Sequence, residues 1–318
     1  MAFILLIIGF IFLIKGADIF VEGAASIARK FNVPAMVIGL TIVAMGTSAP
    51  EAAVSITSSL AGQNDMSVAN VVGSNFFNIL MVLGVSSLIA KLPVEKNTIK
   101  KDAPFLILVS AMLLLFGANL NISRIEGILF LAVFAYFLIY TVRSAKTVSS
   151  KEDIVEGETA VAVEASVAEE ISMPKTIVVS LIGIVGIVVG GDMVVNSATT
   201  IATSFGMSAN LVGLTIVAIG TSLPEFVTSI VAIKKGETEI AIGNVIGSNI
   251  FNILLVLGLA TTINPITISA LALIDIIFMV FITVLLYLFM KKDNSLVKKH
   301  GFVLIALYFA YMAYTIMR

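Results

Sequence analysis

No cysteine occurs anywhere in the 318 residues, which excludes disulfides, thiolate metal centres and a cysteine nucleophile. Histidine is almost as scarce. The single His300, beside Lys298 and Lys299, cannot build a multi-histidine metal site and reads as a solvated or headgroup-facing side chain. Charge is sparse as well: 12% of residues are charged and 59% are hydrophobic, against about 25% charged in a soluble globule. A chain of this makeup belongs in a bilayer. Its net charge of −1 and the lack of a basic patch argue against nucleic acid as a partner. The N-terminal apolar run is interrupted by Lys15 and Asp18 with no basic region before it, so it reads as a mature span and not a signal peptide.

About 20 apolar residues cross the hydrocarbon core as a helix. On that measure the sequence predicts an all-α membrane protein of ten spans, at about 2–25, 35–60, 67–90, 103–120, 124–143, 175–200, 209–233, 239–260, 267–290 and 299–317. If the spans alternate sides, Arg29, Lys30, Lys91, Lys96, Lys100, Lys101, Arg143, Lys146, Lys151, Lys175, Lys234, Lys235, Lys291, Lys292, Lys298 and Lys299 gather on one side. Only Arg124 and Arg318 fall on the other, with Lys15 inside the first span. The positive-inside rule makes the crowded side cytoplasmic and sends both termini outward, in a multi-pass protein of the cell membrane. The organisation expected is a five-helix repeat over 1–145, an acidic cytoplasmic linker over 146–174, and a second five-helix repeat over 175–318. The linker carries Glu152, Asp153, Glu156, Glu158, Glu164, Glu169 and Glu170 but lacks the alternating ligands and turn glycine of an EF-hand, so it reads as a solvated tether.

One stretch is written twice. Gly39–Gly84 recurs as Gly213–Gly258 at a constant offset of 174, with 26 of 46 positions identical. The identities include Thr47/Thr221, Ser48/Ser222, Pro50/Pro224, Glu51/Glu225, Ser74/Ser248 and Asn78/Asn252. Because five spans is an odd number, the second copy enters the membrane inverted. Inverted repeats place their substrate site near the midplane, between the halves.

Within the second span Thr47, Ser48, Glu51 and Ser55 share one helical face, and Ser74 and Asn78 form an i,i+4 pair in the third. Pro50 and Pro224 lack an N–H, so the Gly46 and Gly220 carbonyls lose their helical partners. An unbonded carbonyl in lipid is tolerable only if it faces a cavity or an ion. All these donors are hard oxygens, which suit Ca²⁺ and Na⁺. An intramembrane carboxylate costs at least about 2.5 kcal/mol, and Glu51 and Glu225 bear it at equivalent positions with no basic residue in the same span. That pair reads as functional. The serines and threonines fit helix contacts equally well, and Asn75/Asn249 read as structural. Asp18 and Asp192 also correspond, with Lys15 at i−3 offering Asp18 an ion pair; a packing or gating role is expected for them, and Glu22 is expected among headgroups.

The motifs GTSAPE (46–51) and GTSLPE (220–225), followed by GSNFFN (73–78) and GSNIFN (247–252), resemble those of the cation/calcium antiporter superfamily, and of prokaryotic sodium/calcium exchangers in particular. The resemblance spans essentially the whole chain. It implies a non-enzymatic exchange of Na⁺ for Ca²⁺ with no cofactor and no obligate protein partner, at sites between spans 2, 3, 7 and 8. Carried across by motif, it implies carboxylate ligands Glu51 and Glu225, hydroxyl ligands Ser48, Ser222, Ser74 and Ser248, an amide at Asn78, and backbone carbonyls at Thr47, Thr221, Ala44 and Ala218. Asn252 stands where potassium-dependent members carry Asp, so this chain resembles the potassium-independent branch. A H⁺/Ca²⁺ antiporter using the same carboxylates is the alternative. An intramembrane aspartyl hydrolase built on Asp18 and Asp192 is a distant third, and a cation channel is disfavoured by the inverted halves.

Overall fold

The apolar runs fold as helices, and proline and glycine decide where those helices break. The computed structural model describes residues 1–62, 64–155, 173–206 and 218–317, of which 64–65, 145–155 and 218 are described in backbone only. Helix α1 (Ala2–Lys30) is followed by a segmented helix of α2 (Ala35–Ile38), a π-helical turn (Gly39–Val43), α3 (Ala44–Thr47) and α4 (Ala49–Leu60). Next, α5 (Asn64–Phe76) runs through a π turn (Phe77–Val82) into α6 (Leu83–Ile89). A further π turn (Thr98–Asp102) leads into α7 (Ala103–Gly117), and α8 (Arg124–Val155) follows. The later helices are α9 (Met173–Ser204), α10 (Ala218–Gly220), α11 (Leu223–Lys234), α12 (Thr238–Phe251) with a π turn (Asn252–Leu257) into α13 (Gly258–Ile263), α14 (Ala270–Asp293) and α15 (Lys298–Met317).

Among the described residues seven helices are long and apolar enough to cross a membrane, or eight if the pair Ala35–Thr47 and Ala49–Leu60, bent by 49°, is one span. The protein is therefore a multi-pass, helical membrane protein. Two expected spans fall short of that measure. Helix α7 has 15 residues, and residues 209–217 of the seventh expected span lie outside the described residues. Helix α8 continues to Val155, into the expected linker; residues 156–172, with most of the linker's acidic side chains, lie outside the described residues. On α1, Ile4, Ile7, Ile11 and Ile14 are exposed while Leu13, Ala17, Phe20 and Val21 are buried, so one face meets lipid and the other packs inward.

Helices α1 and α9 pack backbone to backbone. A Cβ on Gly16 would lie 2.7 Å from the Gly183 carbonyl, and one on Gly9 would lie 3.0 Å from the Gly190 carbonyl. Small residues permit such contact, which takes the place of hydrophobic burial as the glue between helices in lipid. The far end of α1 is tied down by charge: Lys235 reaches Asp18 at 2.9 Å and Glu22 at 3.1 Å, and Arg29 reaches Glu237 at 3.2 Å. The local Lys15–Asp18 pair expected from spacing gives way to this distant one, because Lys235 at the end of α11 sits closer to the carboxylate. Glu22 is exposed, as expected, but its carboxylate is engaged.

Two short antiparallel pairings join loops at the helix ends. β1 (Leu92–Pro93) pairs with β4 (Ser295–Leu296), and β2 (Asn121–Ile122) pairs with β3 (Ile266–Thr267). The register is Leu92↔Leu296 in one and Ile122↔Ile266 in the other, and the offset of 174 converts each pairing into the other. The β4 turn also corrects the expectation for His300. Its ring is 3% exposed, stacks on Phe289 at 4.4 Å and places Nε2 3.1 Å from Asp293 Oδ2. The Val297 N–H points at Nδ1 at 3.4 Å, so the imidazole is a satisfied packing element at a helix end.

Helix α12 likewise approaches the start of the segmented helix backbone to backbone. A Cβ on Gly243 would lie 2.6 Å from the Met36 carbonyl and 3.0 Å from Gly39 Cα. Backbone atoms cannot move aside as a flexible side chain would, so Gly243→Val is expected to cost about 1–3 kcal/mol by overpacking. Thermal unfolding of the purified variant in detergent checks this, and a melting temperature equal to wild type would contradict the close approach.

Candidate ion-binding site

Ser48 and Ser222 are the points where the segmented helices break. Ser48 has φ −84° and ψ 10°, and Ser222 has φ −92° and ψ 6°. Each is the N-cap of the helix that restarts beyond it, α4 or α11, so Pro50 and Pro224 occupy the first turn, where no N–H is needed. The prolines were expected to loosen a continuous helix. The break falls just before them instead, because a first-turn proline is favourable and a mid-helix one is not. Glu51 and Glu225 consequently sit in the first turn as well, each near its own backbone N–H and the positive end of its helix.

Ser-x-x-Glu at a helix start spells a capping box. One forms at the start of α8, where the Ser123 N–H donates to Glu126 Oε2 at 2.7 Å and the Glu126 N–H to Ser123 Oγ at 3.4 Å. Ser48-Ala49-Pro50-Glu51 and Ser222-Leu223-Pro224-Glu225 have the same spacing but make no such cap. Their hydroxyls cross to the opposite copy. Ser48 Oγ donates to Glu225 Oε1 at 2.8 Å, and Ser222 Oγ donates to Glu51 Oε1 at 3.1 Å. Ser74 Oγ adds a bond to Glu51 Oε1 at 3.3 Å, and Ser248 lies against Glu225. All six side chains are essentially buried.

Behind this core lies a second ring with the same two-fold exchange. Asn70 Nδ2 donates to the Glu51 carbonyl at 3.1 Å and to Ser55 Oγ at 2.9 Å; Asn244 Nδ2 donates to the Glu225 carbonyl at 3.4 Å and to Ser229 Oγ at 3.1 Å. Thr47 Oγ1 donates to Asn244 Oδ1 at 3.0 Å, and Thr221 Oγ1 to Asn70 Oδ1 at 3.5 Å. Thr47 also approaches Ser248 Oγ at 3.5 Å. The Ala44 carbonyl accepts the Ser48 N–H at 3.0 Å, and the Ser222 N–H donates to the Ile219 carbonyl at 3.1 Å. Sequence reasoning missed Asn70, Asn244 and Ser229. The signal was present, since Asn70 and Ser55 recur at the 174 offset as Asn244 and Ser229 within the doubled stretch.

Four buried oxygens in this region have no hydrogen-bond partner in the chain: Glu51 Oε2, Glu225 Oε2, Asn78 Oδ1 and Asn252 Oδ1. A buried polar atom left unpaired is costly, and each of these four oxygens, on an ionised carboxylate or an amide, can only accept. Two carboxylates facing each other without a basic partner are charge-deficient, which a cation can remedy. Among the described residues no group of three Asp, Glu or His side chains is placed to hold a metal ion, so the charge available to a cation here is that of two carboxylates. Asp18 and Asp192 stand apart from the set: Asp18 is held by Lys235, and Asp192 is exposed.

Known proteins similar to this chain include exchangers and antiporters. The sodium/calcium exchanger protein family matches over residues 1–143 and 175–317. The sodium/calcium exchanger MaX1 of Methanosarcina acetivorans is 34% identical over 339 residues, covering 98% of this chain and 97% of that protein. A relative named CaxA from Alkalimonas amylolytica is 44% identical over 271 residues, covering 85% of this chain and 83% of its own. Among solved structures, the sodium-calcium exchanger NCX_Mj soaked with 10 mM Na⁺ and zero Ca²⁺ superposes with a TM-score of 0.85 at 32% identity, covering 98% of both chains.

Proposed function

The chain belongs to the sodium/calcium exchanger protein family, and from that premise we propose that it is a secondary antiporter moving Ca²⁺ one way and Na⁺ the other by alternating access. Its relatives are transporters, which speaks against a hydrolase built on Asp18 and Asp192. The observation that carries the proposal is the crossed pair of bonds Ser48–Glu225 and Ser222–Glu51, which leaves one oxygen of each carboxylate unpaired and buried. Glu51 and Glu225 would be the charged ligands. Ser48, Ser222, Ser74, Ser248, Asn78 and Asn252 would supply neutral oxygens, with the backbone around Thr47, Thr221, Ala44 and Ala218 completing the shell. Two carboxylates neutralise one Ca²⁺, or hold more than one Na⁺ with surplus positive charge. They cannot hold a full set of both, and that mutual exclusion makes the transport an exchange.

Ten spans in two inverted five-helix halves supply the moving parts. Support comes from the two strand pairings and the crossed hydrogen bonds, each of which the 174 offset maps onto its twin. A two-fold axis in the membrane plane relates such twins on opposite faces. The Lys and Arg distribution favours both termini outside and the acidic segment in the cytoplasm, and Asn252 in place of a third carboxylate favours independence from K⁺.

The test is Ca²⁺ uptake into proteoliposomes. Vesicles loaded with Na⁺ and diluted into Na⁺-free medium should accumulate radiolabelled Ca²⁺, at a rate unaffected by removing K⁺ from both sides. Uptake driven by a pH gradient in the complete absence of Na⁺ would replace this reading with the proton-coupled one.

A further inference from the structure

Asn75, Asn78, Asn249 and Asn252 exchange hydrogen bonds between the two copies of the doubled stretch. Asn252 Nδ2 donates to Asn75 Oδ1 at 3.2 Å, and Asn78 Nδ2 donates to Asn249 Oδ1 at 3.2 Å. All four side chains are at most 1% exposed. Asn78 lies one helical turn beyond Ser74, whose hydroxyl touches Glu51, and Asn252 holds the same position relative to Ser248. A carboxamide has two unlike ends, and only the oxygen end can ligate a cation. Which end faces the carboxylates is therefore decided by what grips the other end.

For Asn252 the grip is fixed by a chain of groups with a single hydrogen-bonding sense. Asn75 Nδ2 points at the Asn249 backbone carbonyl at 3.4 Å and at Met279 Sδ at 3.6 Å, both of which only accept. Asn75 must then offer its oxygen to Asn252, and an oxygen can be met only by the Asn252 amino group. Asn252 Oδ1 is left facing away without a partner. The second rung is built alike but anchored less firmly, because Asn249 Nδ2 has no partner in the chain. The position equivalent to Met279 is Phe105, which offers no acceptor atom.

We propose that Asn75 and Asn249 are positioning residues of the cation site: they hold the amides of Asn252 and Asn78 oxygen-first toward the bound ion, Asn75 the more rigidly. This rests on the Ca²⁺/Na⁺ site proposed above and explains how a neutral amide, free to present either end, becomes a dependable ligand. Helix contact alone, the role their spacing predicts, does not account for the one-way chain of donors.

The test uses the difference between an amide and a carboxyl group. Asn75→Ala should raise the apparent KM for Ca²⁺ uptake about tenfold, the scale of one lost charge-assisted ligand. In an Asn252→Asp background both ends of the side chain are oxygens, so orientation no longer matters. There Asn75→Ala should shift KM by less than about twofold relative to Asn252→Asp alone, within the spread of uncoupled substitutions. Asn249→Ala, measured alone and with Asn78→Asp, should show the same cancellation with a smaller starting effect, and this cycle carries the test if Asn75→Ala does not survive purification. Equal shifts in both backgrounds, or no shift in either single variant, would overturn the positioning role while leaving the ion site standing. A wild-type KM in Asn252→Ala would remove Asn252 from the site and overturn the role of Asn75, while the carboxylate site stands or falls with Glu51→Gln and Glu225→Gln.

Discussion

Replacing either Glu51 or Glu225 by glutamine is expected to abolish Ca²⁺ transport while leaving the protein inserted and folded. Glutamine keeps the shape and one acceptor oxygen, so the crossed bonds from Ser222 and Ser48 can persist. What disappears is a charge, and inside a dry site an ion–carboxylate attraction is far stronger than in water. Loss from either side should be equally severe, because each copy of the doubled stretch contributes one carboxylate with the same pattern of neighbours. Folding should not suffer, since an amide is cheaper to bury than an unpaired carboxylate. Melting temperature in detergent is therefore expected to match or exceed wild type. Transport in either purified variant above about a tenth of wild type, a loss of under about 1.4 kcal/mol, would overturn the assignment.

The second large effect is expected at Asn252. Its amide neither titrates nor adds charge, and it is buried one helical turn beyond Ser248, which lies against Glu225. On the proposed site, Asn252→Asp adds a third carboxyl group. Three like-charged groups in one dry site cannot all ionise at ordinary cost, so at least one should bind a proton more tightly than a free carboxylate does. The variant's transport rate should then depend on pH, on K⁺, or on both, whereas wild type should be indifferent to K⁺. Transport assays across pH and K⁺ decide this. A variant matching wild type under every condition would show that position 252 does not line the site.

The site was legible because its chemistry is written twice. Two carboxylates without basic partners, repeated at a fixed offset with hydroxyls and amides around them, pointed to the residues that the fold brings together. The connections between them were not legible. Helical spacing puts Ser48 beside Glu51, but the backbone breaks at Ser48 and the hydroxyl crosses to Glu225. A local pattern cannot specify a bond between residues so far apart in the chain. Asp18 teaches the same lesson, with Lys15 near in sequence and Lys235 near in space. His300 looked solvated among lysines, yet the β4 turn tucks it onto Phe289 and Asp293. Asn70 and Asn244 stand outside the GTSxPE and GSNxxN motifs and pass unnoticed, although their positions recur as faithfully as those of the carboxylates. The membrane-spanning class followed from composition. The breaks inside the spans depend on where proline is tolerated, which needed the helix starts to be known.

Equilibrium binding of radiolabelled Ca²⁺ to the purified protein probes the shared site most directly. One site formed by both copies requires about one Ca²⁺ per chain, displaced by Na⁺ and lost in Glu51→Gln and Glu225→Gln alike. Two Ca²⁺ per chain, with each substitution removing only one of them, would mean two independent sites and would contradict the shared one.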